Sequence, residues 1–240
     1  MDRITKSKGN SGKQDGENTS FVNRRLFLRS AGLATSLGTI VLSACNDDDP
    51  NPMIPGTGDA VDLGSGDIGV LNYAYALEQL EAAFYTQVIA SPYAGMTDAE
   101  KTILTDIRDH EIIHRDFFKA ALGDKAIKGL TPNFTTIDFT KRDSVLGAAK
   151  LFEDTGVAAY NGAGKLIKDG AYLLLAGKIV SVEARHAAVI RDLLNPKSAD
   201  FAGDDIINND GFDKATAPAD ILAAVKGYVQ DNITGASVGK

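Results

Sequence analysis

At 240 residues and 44% hydrophobic content, the chain is long enough for one or two domains with a real core, and global disorder is excluded. The formal net charge is −7, and setting aside residues 1–44, with their seven Lys/Arg and three Asp/Glu, takes it to −11. A surface of that sign argues against nucleic acid as a partner and is compatible with metal cations or with plain solubility.

The first 45 residues read as an export signal. A polar, basic start leads to Asn23-Arg24-Arg25-Leu26-Phe27-Leu28-Arg29, and an uncharged run from Ser30 then ends at Leu42-Ser43-Ala44-Cys45. The run is shorter than the about 20 apolar residues that span a bilayer, and its order of basic, apolar and small residues is that of a signal peptide. The Arg-Arg core resembles a twin-arginine signal and Leu-Ser-Ala-Cys resembles a lipobox, which implies lipidation at Cys45. Cys45 is the single cysteine, so it forms no intrachain disulfide. These resemblances imply a protein exported folded to a bacterial envelope and anchored to a membrane through its lipid. Residues 46–66, rich in Asp, Gly and Pro, are expected to be a flexible tether.

The chain from 67 to 195 predicts four helices. In the first, Gly69 to Ala90, the residues Leu71, Tyr75, Glu78, Ala82, Tyr85 and Ile89 recur at helical spacing. Ser91-Pro92 breaks it, and Thr97-Asp98-Ala99-Glu100 offers a capping box for a second helix that Gly123 stops after Leu122. Gly129, Pro132 and the Thr135-Thr136-Ile137 stretch make residues 124–141 a long connection. A third helix is expected from Asp143 to Lys168 and a fourth from Tyr172 to Leu194, where Asn195-Pro196 ends it. Short first and last turns around one long link predict an all-α fold: two antiparallel hairpins joined by a crossover, the topology of ferritin-like bundles. The segment 196–240 is expected to cap the bundle, with a short helix over Ala219 to Gln230 behind an Asp/Asn/Gly loop. That loop fails a calcium-hand pattern because Ile206 stands at the first ligand position.

Ionisable residues inside the apolar stripes carry the chemistry. Glu111 and His114 lie one turn apart on the second helix, and Glu183 and His186 repeat the spacing on the fourth. Glu78-x6-Tyr85 on the first helix is repeated as Glu153-x6-Tyr160 on the third. One Glu from each of two helices and a Glu-x-x-His from each of the other two form the ligand set of di-iron and di-manganese carboxylate bundles. Four unpaired carboxylates in a core would be costly, and two divalent cations would neutralise them. Glu78, Glu111, His114, Glu153, Glu183 and His186 are therefore the candidate ligands, with two iron or two manganese ions as the cofactor.

Four neighbours have weaker claims. Glu81 could bridge or replace a ligand but is placed at the rim, in a salt bridge, by its angular offset. Arg185 could pair with a ligand carboxylate or with Asp109, or form a plain surface pair. Tyr85 and Tyr160 stand about 10 Å beyond their own glutamates, so any bond to a ligand must cross to another helix; otherwise they are core aromatics. His110 points off the ligand face, to solvent or to a partner behind the ligands. Gly156, Gly162 and Gly164 are read as close-approach positions with no chemistry.

The segments Leu77 to Tyr85, Asp109-His110-Glu111 with His114, Leu151 to Tyr160 and Val182 to Ala187 resemble the ferritin-like domain family that includes desiccation-related proteins. The resemblance spans about residues 66 to 230 and implies a ferritin-like fold with a dinuclear metal centre; it implies no particular reaction. Two functions fit. One is a di-metal oxidoreductase, with ferroxidase, iron-binding or peroxide-removing chemistry; the other is a non-catalytic envelope stress protein whose metal is structural or absent. A homo-oligomer is compatible with either, but a closed iron-storage shell is disfavoured by the tethered N-terminus and the added C-terminal helix.

Overall fold

A computed structural model describes residues 60–240; the export signal, Cys45 and most of the expected tether lie outside the described residues. Four long helices form the fold: α1 (Gly66–Ala90), α2 (Asp98–Leu122), α3 (Arg142–Gly164) and α4 (Gly170–Leu194). α2 begins with the expected box: the Thr97 hydroxyl accepts from the Glu100 amide while the Glu100 carboxylate accepts from the Thr97 amide. Gly123 then ends it at φ 55°, a left-handed conformation that glycine adopts without a Cβ penalty. α3 stops four residues short of the predicted Lys168. There Asp67 of α1 accepts from the amides of Lys168 and Asp169, and Asp169 caps α4 through the Ala171 amide.

The pairs α1/α2 and α3/α4 are hairpins, and residues 126–141 cross from one end of the bundle to the other as predicted. The crossover is tied to α1 at intervals. Asn72 accepts from the Ile127 amide and donates to the carbonyls of Leu63 and Lys125, and Gln79 accepts from the Leu130 amide. Phe134 and Phe139 then pack on Phe84 and on each other. At the far end Arg142 donates to Glu100 and to the Leu193 carbonyl, joining α2, α3 and α4.

The C-terminal segment is a cap, as expected, but its helix is shorter than predicted: α5 (Pro218–Val225) passes into a 3-10 turn, Lys226–Tyr228. Ile221 and Val225 are buried. The Asp/Asn/Gly loop before it is fastened by Arg191 of α4, itself 2% exposed, which donates to the carboxylates of Asp154 and Asp205 and to the Asp200 carbonyl. Residues 61–66 correct the expected tether. Val61–Asp62 (β1) pairs in parallel with Ile233–Thr234 (β2), and Leu63 is fully buried. The partner strand lies 172 residues downstream, and the Gly66 amide bonds the Lys240 carbonyl, so local composition carries no trace of this order.

Candidate metal centre

The midpoint of the bundle is where the helices bring their carboxylates together. Glu78 comes from α1, Glu111 and His114 from α2, Glu153 from α3, and Glu183 and His186 from α4; all six are buried. Glu78, Glu111, His114 and Glu183 each offer one donor atom, and these atoms lie within 4.8 Å of one another. Glu111, Glu153, Glu183 and His186 do the same. The two groups overlap at Glu111 and Glu183, so the helices with Glu-x-x-His supply the shared carboxylates and the other two supply one private carboxylate each.

His114 Nδ1 lies 2.7 Å from Glu183 Oε1, 3.5 Å from Glu78 Oε2 and 3.7 Å from Glu111 Oε2. His186 Nδ1 lies 2.8 Å from Glu111 Oε1, 3.3 Å from Glu183 Oε2 and 3.5 Å from Glu153 Oε2. In both imidazoles Nδ1 faces the carboxylates. Five carboxylate oxygens and His114 Nδ1 are nevertheless buried without a properly aligned hydrogen bond: Glu78 Oε2, both oxygens of Glu111, Glu153 Oε2 and Glu183 Oε1. Oxygens that converge without satisfying one another fit a divalent cation, whose ligands point at a common centre and not at each other. The oxygen-rich donor set with two imidazoles also fits iron or manganese in type.

The buried charges of the cluster shift one another's titration. Burial, then the charge of Glu183, holds Glu78 well above the usual carboxylate range. Burial likewise pushes Glu153 up to about 8. Burial also pulls the histidines down, but the surrounding carboxylates outweigh it: Glu111, Glu183 and Glu78 raise His114 to about 12, and Glu111, Glu153 and Glu183 raise His186 to about 12. Against its own burial Glu111 is drawn down to about 2 by the same two histidines.

Both tyrosines cross between helices. Tyr85 of α1 donates to Glu153 Oε1 of α3 at 2.5 Å, and Tyr160 of α3 donates to Glu78 Oε1 of α1. Each private carboxylate thus has one oxygen fixed by the tyrosine of the opposite helix and the other turned inward. His110, although exposed, places Nδ1 2.9 Å from Nε2 of His186, a hydrogen bond in which one ring nitrogen donates to the other behind the carboxylate-facing side of that imidazole.

Two expectations are corrected. Glu81 is not a rim residue: it is 3% exposed. α1 buries sixteen of its 25 residues, and the angular offset turns the Glu81 carboxylate toward Gly156 of α3 instead of toward solvent. Arg185 is exposed and forms no ion pair among the described residues; Asp109 is bonded instead to Arg108. The Arg191–Asp154–Asp205 network was not anticipated, although Arg191, eight residues after Glu183, shares its inward face and was the available signal.

Four helices placing carboxylates and imidazoles around one buried centre define a helical-bundle protein with a cluster able to hold metal. The ferritin-like domain model matches residues 66–196, more than half of the chain, and the protein belongs to that family. No curated protein matches it.

Proposed function

We propose that this protein binds two iron or manganese ions and uses them in redox chemistry with dioxygen or peroxide, as an exported, lipid-anchored protein of the desiccation-related type. The observation that carries the dinuclear reading is the overlap of two donor groups at Glu111 and Glu183. Glu78 and His114 would hold one ion, Glu153 and His186 the other, and the shared pair both. Bound iron or manganese would supply the electrons that reduce the oxidant.

The chain's own residues supply the rest. Tyr85 and Tyr160 orient the private carboxylates, and His110 sets which nitrogen of His186 faces the centre. Glu78, Glu111, Glu153 and Glu183 are all but inaccessible to bulk water, so charges at the centre interact strongly.

Metal analysis of four variants tests the stoichiometry. Wild type loaded with Mn(II) should hold two ions per chain, Glu78→Ala and Glu153→Ala one each, and Glu111→Ala and Glu183→Ala close to none. A wild-type content below about one ion per chain would exclude the dinuclear centre. Consumption of dioxygen or peroxide by the Fe(II)-loaded protein, beyond that of free Fe(II), tests the chemistry; full loading without consumption would leave the metal a structural role and sink the redox reading.

A further inference from the structure

We propose that a narrow apolar cavity between the α3–α4 turn and the cluster is a holding site for dioxygen on its way inward, and that it selects dioxygen over peroxide as the oxidant. This rests on the redox reading of the metal centre.

The cavity, about 20 Å³, is walled by all four helices. Its inner end is formed by Leu77 of α1, Phe118 of α2 and Ala159 and Tyr160 of α3, all of them buried. These walls adjoin the cluster at three points. Leu77 directly precedes Glu78, Phe118 stands one turn beyond His114 on the same face of α2, and the Tyr160 hydroxyl is bonded to Glu78. The cavity therefore abuts the position formed by Glu78 and His114, not the one formed by Glu153 and His186. Its outer end is made by Gly164, Ile167 and Ala176, which are only half-buried. Gly164 leaves that end open: a Cβ built there would meet nothing closer than Leu173 Cδ1, at 3.9 Å. The space thus runs from the surface near the α3–α4 turn to the wall of the cluster.

Its chemistry chooses the occupant. Room for one small molecule takes roughly 10–15 Å³, and this cavity exceeds that. Only two hydroxyls belong to its lining: that of Tyr160 is engaged by Glu78, and that of Tyr73 is buried without a hydrogen-bond partner. A buried water makes about three hydrogen bonds, and apolar cavities that cannot supply them stay dry and take up apolar molecules. Hydrogen peroxide carries two O–H donors, which would lose their water partners here with at most one group to replace them. Dioxygen has no donor to strip of water, and it gains dispersion contacts with the walls.

Xenon is the apolar probe for the cavity in the metal-free full chain, read through the methyl NMR signals of Val70 and Leu77, which line it. The Fe(II)-loaded chain is then assayed for consumption of dioxygen and, separately, of peroxide. Wild type is compared with Ala176→Phe, which plugs the outer end, and Ile167→Ala, which widens it; far-UV circular dichroism and Mn(II) content check fold and site. Xenon should shift the two methyl signals in wild type and Ile167→Ala and leave them unmoved in Ala176→Phe. Dioxygen consumption should fall about tenfold in Ala176→Phe and rise in Ile167→Ala, as expected of a step set by access. Peroxide consumption should be slower than that of dioxygen in wild type and unchanged in both variants. Should Ala176→Phe fail to fold, Ile167→Ala carries the comparison. No xenon shift in wild type would overturn the cavity as a gas site. Dioxygen rates that ignore both substitutions, or a wild type that consumes peroxide faster than dioxygen, would overturn its place on the route. Consumption of neither oxidant would instead overturn the redox reading, and the dioxygen route with it, whatever xenon shows.

Discussion

Raising the pH from about 5 to 8 should destabilise the metal-free protein. Glu153 has an ordinary pKa of 4.5, and in the fold burial holds it up to about 8. Between these values the folded chain keeps a proton that the unfolded chain has released. The stabilisation is complete below pH 4.5 and is lost as pH rises through 8. At 1.36 kcal/mol per pKa unit, Glu153 alone is worth on the order of 4 kcal/mol across that window. Glu78 and Glu81, held up by burial first and by their acidic neighbours next, act with the same sign. His114 and His186 add to the loss above their ordinary 6.5, because their carboxylate partners raise both to about 12 against burial. Glu111, drawn down to about 2, has the opposite sign but acts only below pH 4.5. The assay is the urea midpoint followed by circular dichroism, in chelator, from pH 5 to 8. Saturating Mn(II) should flatten or reverse the trend, because metal binding requires deprotonated ligands and gains from rising pH. A metal-free midpoint that is steady or rises with pH would refute the cost assigned to the buried carboxylates.

Two further outcomes are expected. Gly162→Ala places a Cβ 1.8 Å from the Thr216 carbonyl oxygen, so the cap must detach there and the Thr216–Ala158 hydrogen bond must break; thermal unfolding should show a loss of about 2–3 kcal/mol. Gly147→Ala in the same helix meets nothing within 4 Å and should gain up to about 1 kcal/mol, and equal effects at the two positions would contradict the packing. His110→Ala removes the partner of His186 Nε2 and should weaken one of two Mn(II) binding steps about tenfold in calorimetric titration; equal weakening of both steps, or of neither, would show that His110 does not position that imidazole.

Much of this protein is written locally in its sequence. Helix starts and stops depend on groups a few residues apart, so the Thr97–Glu100 box and the Gly123 stop were legible. The six cluster residues were legible for a related reason: on a helix, residues three, four and seven apart share a face, and ionisable side chains on apolar faces must converge. Spacing also required that Tyr85 and Tyr160 bond across helices if they bonded a cluster glutamate at all, but which carboxylate each would meet depended on how α1 lies against α3.

What only the tertiary structure decided are the contacts between segments far apart in the chain. Val61 and Ile233 pair across 172 residues, and no local pattern predicts that residues of a Gly/Asp/Pro-rich stretch become a strand. Glu81 looked like a rim residue because a single helix suggests one buried face, but its offset turns the carboxylate toward Gly156 of α3. Gly156 looked like a packing glycine for the same reason, since a gap has a meaning only when the side chain that fills it is known. Periodicity fixes which residues of a helix share a face, whereas what stands opposite that face is set by packing.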